Sequence, residues 1–208
     1  MNCIPENINI SFRLNSYIKE KRFEHTMGVR KVAIELAKRY GCSVYKAEVA
    51  ALLHDVARDL PESELRLMLG KVDGRSSSRT ANCNQRLLLH APVGRIIAKE
   101  DFGVEDEEIL RSIELHTTAG PSMSLLDKII YIADFIEPGR NFRGVKTARK
   151  LAKRDINNCM KFILSFMLRY LLRMGKCICE YTLLAYNEYA GEDKQVKKLK
   201  EGIDYPWV

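Results

Sequence analysis

The chain has 208 residues, with 34 Lys and Arg against 27 Asp and Glu, and a formal net charge of +7. A chain of that length buries roughly 70% of its unfolded surface in a single core, and no Pro- or Ser-rich linker divides it, so the main body reads as one domain. The positive balance suits an anionic partner without saying which, and Arg169 and Arg173 interrupt the longest apolar stretch, which excludes a helical membrane span of roughly 20 residues. Six cysteines, Cys3, Cys42, Cys83, Cys159, Cys177 and Cys179, are scattered, and no secretory leader is recognisable. They are expected as reduced thiols in a cytoplasmic protein. Cys177-x-Cys179 lacks the spacing and the second pair of a zinc knuckle.

Apolar residues recur at helical spacing almost throughout, with no sustained period-two alternation, so the expected fold is all-α, a bundle of about nine or ten helices. Residues 1–21 hold a leader and a first helix over Ile8 to Lys19; a second helix runs from Arg22 to Tyr40 and ends at Gly41. On it His25, Val29, Val32 and Leu36 follow steps of four, three and four, which turns the histidine to the apolar face. Ser43 is a candidate N-cap for a third helix that carries His54-Asp55 and runs to about Asp59, and Pro61 opens a fourth to Leu69. Residues 70–84 are small and polar and read as a solvated loop, with Arg75 and Arg79 flanking three serines. Pro92 marks the first turn of a helix to Phe102, and Asp106 to His116 makes another, so that His90 and His116 fall at helix ends. Ser122 or Ser124 caps Leu125 to Ile136, which carries Asp134 and is broken by Glu137-Pro138-Gly139-Arg140. Val145 to Lys153, Ile156 to Met174 and Thr182 to Tyr189 complete a main domain over 22–190, and 191–208 is a charged tail.

The chemistry gathers on six residues. His25, His54, His90 and His116 fall at helix ends or on apolar faces, and Asp55 and Asp134 share that setting. One buried histidine is ordinarily satisfied by a carbonyl, and one helical aspartate is ordinarily a cap or a surface residue. An ionised carboxylate buried beside an imidazole, however, costs several kcal/mol or more unless it is paired or holds a cation. Six such groups on facing helices of one bundle are the usual material of a metal site. Imidazole and carboxylate donors without thiolate suit iron, manganese, cobalt, nickel or zinc in a catalytic centre.

The order His25, His54-Asp55, Asp134 resembles the H…HD…D pattern of HD-domain metal-dependent phosphohydrolases, an all-α superfamily. The strings Arg22-Phe23-Glu24-His25-Thr26, Leu52-Leu53-His54-Asp55, Leu89-His90-Ala91-Pro92-Val93-Gly94, His116-Thr117-Thr118 and Ile132-Ala133-Asp134-Phe135-Ile136-Glu137-Pro138-Gly139-Arg140 are similar to the YqeK family, bacterial symmetrical diadenosine tetraphosphate hydrolases. The resemblance covers about Arg22 to Tyr189. It implies a divalent metal, iron, held by His25, His54, Asp55 and Asp134 in a centre of one metal or two, with His90 and His116 as ligands of a second metal or of a substrate phosphate. It implies catalytic roles for Asp55, Asp134 and Arg140. It also implies a nucleotide pocket drawn from His25, Arg58, Asp59, Leu60, Pro61, His90, His116, Thr117, Asp134, Arg140 and the segment Cys179, Glu180, Tyr181, Thr182, Leu183, Leu184.

Two positions depart from the family pattern. Arg58 stands where Lys is expected, and Cys179-Glu180-Tyr181-Thr182 stands where a His-Pro-Arg-Thr type sequence is expected, which changes the charge offered to a polyphosphate. A metal pair bridged by a carboxylate lowers the pKa of bound water and neutralises an attacked phosphoryl group, in keeping with that activity. The expected partner is a dinucleoside polyphosphate or another nucleotide, with no membrane and no nucleic acid, since stacking and RNA-binding signatures are absent. A homodimer is retained as an option. The alternatives are an HD-domain nucleotidase or dNTP hydrolase, and a non-catalytic nucleotide- or RNA-binding helical module.

Overall fold

The structure is a computed structural model and describes residues 6–70 and 86–190. Among the described residues it is entirely helical, with ten α-helices: α1 Glu6–Leu14, α2 Glu20–Tyr40, α3 Val44–Leu53, α4 Glu62–Gly70, α5 Arg86–Glu100, α6 Glu107–Leu115, α7 Leu125–Ile136, α8 Val145–Ala152, α9 Ile156–Arg173 and α10 Glu180–Ala190. The expected loop with Arg75 and Arg79 and the charged tail over 191–208 lie outside the described residues.

Local chemistry accounts for most of the boundaries. Gly41 ends α2 in the left-handed region at φ 72, returning its N–H to the carbonyl of Ala37, a position that favours glycine. Ser43 accepts from the Lys46 amide at the start of α3, and Asp106 from the amides of Glu108 and Ile109 at the start of α6. Ser124, rather than Ser122, caps α7, in a reciprocal box with Asp127.

The centre of the molecule is α3 and α7. Val49, Ala50, Ala51, Leu52 and Leu53 of α3 are all buried, as are Ile129, Ile130, Ile132 and Ala133 of α7. Both helices are therefore enclosed by apolar neighbours, a stabilising arrangement of about 1.5–3 kcal/mol for each large side chain. Helix α2 packs on both, α6 closes the far side against α3, α5 and α7, and α9 covers α7 together with α8 and carries α10. Four helix ends or faces thus converge on one spot beside α3.

Three expected boundaries are corrected. Helix α1 ends at Leu14 rather than at Lys19, the amides of Tyr17 and Ile18 turning back onto the Leu14 carbonyl. Helix α3 stops at Leu53, so His54-Asp55 is not inside it; the His54 ring lies 2.7 Å from the Ala51 carbonyl and takes the acceptor that the Asp55 amide would need to continue the helix. A chain of tight turns to Leu60 follows. Pro92 does not open a helix but lies inside α5, which begins at Arg86, and His90 therefore sits within a helix rather than at its end. The run Leu87-Leu88-Leu89 already carries helical character before the proline, and position-one chemistry is only one of the ways a helix admits proline.

Cys42, Cys159 and Cys179 are outside any disulfide, as expected, but Cys177 is disulfide-bonded, contrary to the expectation that all six are reduced. No helix among the described residues is long and apolar enough to cross a membrane.

Candidate active site

The sequence places the six polar groups on different elements, and the fold brings all six to one point. His25 comes from the first half of α2, His54 and Asp55 from the end of α3, His90 from α5, His116 from the end of α6 and Asp134 from the last turn of α7. Asp55 is the hub. Its Oδ2 lies 3.7 Å from His25 Nε2 and 3.6 Å from His54 Nε2, and its Oδ1 lies 3.0 Å from His90 Nε2 and 3.5 Å from His116 Nε2. Each carboxylate oxygen therefore faces a different pair of imidazoles, which is how a carboxylate is disposed between two cations. Asp134 adds Oδ1 at 3.1 Å from His25 Nε2.

Three of the histidines are held so that Nε2 points into the site. His54 Nδ1 lies 2.7 Å from the Ala51 carbonyl, His116 Nδ1 2.7 Å from the Ile113 carbonyl, and His25 Nδ1 3.2 Å from Glu137 Oε1. Acceptors at Nδ1 put the proton there and leave Nε2 with a lone pair, the tautomer a metal ligand needs. His25 Nε2 and His54 Nε2 are buried and make no hydrogen bond. A buried acceptor of this kind costs about 1–3 kcal/mol unless something meets it, and a cation would meet both nitrogens at once. The residues fit a divalent metal.

His90 is arranged differently. Its Nδ1 lies 2.9 Å from Arg58 Nη1, which can only donate, so the neutral ring carries its proton on Nε2, facing Asp55 and, at 3.1 Å, His116 Nε2. Arg58, the residue that departs from the family pattern, thus fixes this ring.

Electrostatics agrees with a cluster meant to bind a cation. Burial holds His54 and His90 down to about 4, so both rings stay neutral. Burial pushes Asp55 up, but the surrounding rings of His54, His116 and His90 outweigh it and hold the carboxyl well below the usual range. Asp134 is likewise held low, burial being overcome by His25 beside it and by His54 and Arg140. His25 is raised: burial lowers it, but Asp134 and Asp55 more than compensate.

Above this floor lies a cavity of about 370 Å³, lined among others by Arg22, Arg58, His90, His116, Thr117, Asp134, Arg140, Cys179 and Thr182. Two guanidiniums hold the two carboxylates: Arg22 donates to Asp55 Oδ2 at 2.9 Å, and Arg140 to Asp134 Oδ1 at 2.6 Å and to the Asp134 carbonyl at 3.0 Å. Not every expected residue reaches the cavity. Asp59 instead accepts from the Lys19 amide at 3.0 Å, and Leu60 and Pro61 are not in its wall. Glu180 is exposed on α10, as are Leu183 and Leu184, while Tyr181 turns towards Gly120. Of that segment only Cys179 and Thr182 face the cavity, the Thr182 hydroxyl donating at 2.8 Å to the Thr118 carbonyl.

Residues without an assigned role in the sequence complete the site. Glu137 is buried, accepts from the Gly139 amide and orients His25; a Cβ on Gly28 would stand 2.9 Å from Glu137 Oε2, so the glycine admits that carboxylate. Arg149 donates to the carbonyls of Ile136, Glu137 and Arg140 and so fixes the turn that carries Glu137 and Arg140. Glu137 lies in the matched string ending in Arg140, which was the available signal for it. Nothing in the periodicity of α8 singles out Arg149.

An HD domain matches residues 22–139. The chain is 40% identical over 178 residues to a symmetrical bis(5'-nucleosyl)-tetraphosphatase of Halalkalibacterium halodurans, spanning 86% of this chain and 94% of that one. It is 39% identical over 170 residues to the protein of the same name from Bacillus subtilis, with 82% and 90% covered. Among solved structures, a predicted HD superfamily hydrolase involved in NAD metabolism from Clostridium acetobutylicum is similar at a TM-score of 0.81 and 37% identity, over 89% of this chain and 97% of that one. The hub of HD carboxylate and imidazoles, the H…HD…D order and identity across nearly the whole length agree: the chain belongs to the HD-domain hydrolases and, within them, to the family of symmetrical bis(5'-nucleosyl)-tetraphosphatases.

Proposed function

We propose that this protein hydrolyses diadenosine tetraphosphate symmetrically to two ADP at a divalent-metal centre built on Asp55. The observation that carries the reading is the division of labour at that residue, each of whose oxygens faces its own histidine pair at the floor of an arginine-lined cavity. His25, His54, Asp55 and Asp134 would hold the first cation, and the nitrogen and oxygen donors suit iron. A bound cation would supply Lewis acidity and a water of lowered pKa. Asp55, His90 and His116 would hold a second cation only if Arg58 withdrew from His90 Nδ1, because a neutral ring has one proton to place; with Arg58 in place, His90 Nε2–H would donate to a phosphate oxygen.

The protein's own groups then do the positioning. Arg22, Arg58 and Arg140 offer fixed positive charge to the polyphosphate, and Arg140, tied to Asp134, brings its guanidinium beside the floor of the site, where charge grows on a leaving phosphate. Since phosphoryl transfer is governed by an in-line arrangement of attacking and leaving oxygens, the pocket that seats one ADP-like half also selects the bond.

The test is hydrolysis of a nucleotide panel, including dNTPs, in oxygen-18 water, with metal content measured on the same protein. Diadenosine tetraphosphate should give ADP alone, with label in one terminal phosphate. Initial products of ATP and AMP reject symmetrical cleavage, and turnover confined to dNTPs assigns the centre to another HD activity.

A further inference from the structure

A second cavity, of about 290 Å³, lies between α9 and the turn that leads into α8 and is lined by Arg143, Gly144, Phe162, Phe166, Arg169, Tyr170 and Arg173. It shares a wall with the cavity over Asp55. Tyr170, half exposed, lines both, and Phe135 in the wall of the first meets Phe166 in the wall of the second with ring centroids 5.7 Å apart. The rings of Phe162 and Phe166 lie near parallel, at 28° with centroids 6.3 Å apart, so the cavity offers flat π faces flanked by three guanidiniums.

That chemistry is specific in kind. An apolar ligand or an aliphatic anchor would need the ring faces but has no use for three arginines, and a bare polyphosphate would need the arginines but not the rings. An aromatic base carrying phosphate uses both, by stacking and by charge-assisted contact. Its volume is at the lower edge of small-molecule pockets and suits a single nucleoside end.

We infer that this α8–α9 cavity seats the second nucleoside of a dinucleoside polyphosphate whose first half occupies the cavity over Asp55, with Tyr170 as the shared wall between them. The inference rests on the substrate class proposed above and adds to it a second subsite. A substrate gripped at both nucleoside ends has its central anhydride, rather than a terminal one, drawn towards the floor of the first cavity. Phe162 and Arg173 then act as specificity determinants remote from the metal cluster.

Two measurements test it. Titration with ADP, the product, should find two equivalents bound per chain in the parent and one in Phe162→Leu and in Arg173→Ala. In steady-state kinetics, Phe162→Leu should lose about fivefold or more in kcat/KM for diadenosine tetraphosphate, the lower range of stacking contributions, while adenosine 5′-tetraphosphate, which has one nucleoside, changes less than about twofold. One ADP per chain in the parent, or equal losses for the two substrates, overturns the subsite. Arg173 is exposed, so its variant serves should Phe162→Leu fail to fold. If the parent cleaves neither tetraphosphate, the substrate reading fails, and the ADP stoichiometry still decides whether the second cavity takes a nucleotide.

Discussion

Glu137 shows how much of this site depends on a side chain that need not touch substrate. It accepts from His25 Nδ1 at 3.2 Å and from the Gly139 amide, and so keeps the His25 lone pair aimed at Asp55 and Asp134. Glu137→Gln keeps the volume but removes the charge that sets the tautomer, and should weaken metal affinity roughly 10- to 100-fold, as outer-shell substitutions do. Metal titration of the purified variant checks this, and unchanged affinity would return Glu137 to a purely structural role. Arg140 separates binding of metal from binding of substrate. Arg140→Ala should keep its metal and lose about 1.5–3 kcal/mol in kcat/KM, roughly 10- to 150-fold, the scale of a hydrogen bond to a charged group. Loss of metal together with activity would mean that Arg140 mainly secures Asp134, to which it donates at 2.6 Å.

The helices were legible because their signals are local. Gly41, Ser43 and Ser124 stand where the sequence puts the punctuation, and α7 runs from Leu125 to Ile136 as read. The misplaced boundaries at His54 and Pro92 have a common cause, which is that the decisive group acts from the side chain or from the fold. At His54 an imidazole takes a backbone acceptor, and at Pro92 the surrounding helices retain a turn that proline chemistry alone disfavours. Capping also has a measurable consequence. Asp106 accepts the amides of Glu108 and Ile109, and Asp106→Ala should destabilise the protein by about 1 kcal/mol in urea unfolding at pH 7. Its carboxyl is held below the ordinary value, first by the Lys46 hydrogen bond and, against a small burial effect, by those two amides. A depressed folded pKa gives stability that is present above the unfolded value of an aspartate and fades as pH falls through the folded one. The difference between parent and variant should therefore be constant from pH 7 to about 5 and shrink below about 4. A gap that widens on acidification contradicts that assignment.

At the scale of the whole molecule, the sequence named the six residues of the His and Asp cluster but not their arrangement. Their types and their placement on separate helices were enough to suggest a cation, because no other partner satisfies so many buried imidazoles and carboxylates. The opposed roles of the two Asp55 oxygens, the fixing of His90 by Arg58 and the clamp of Arg149 depend on how five helices meet, which no local pattern encodes. The same convergence couples metal to fold. The candidate ligands come from α2, α3, α5, α6 and α7, and His25 Nε2 and His54 Nε2 are buried without hydrogen bonds, so a protein without the cation would carry that cost at its centre. Binding to the folded state alone stabilises by RT ln(1 + [M]/Kd), about 2.7 kcal/mol at one hundred times Kd. For a domain near this size, about 2–4 °C accompanies each kcal/mol, so chelation should lower Tm by roughly 5–10 °C, and re-addition of the cation should restore it. The shift should be largely lost in Asp55→Ala, which lacks the shared ligand. A Tm indifferent to chelator in the parent, with metal shown by analysis to have left, would mean that the cluster is satisfied by other means and that the helices meet there for packing alone.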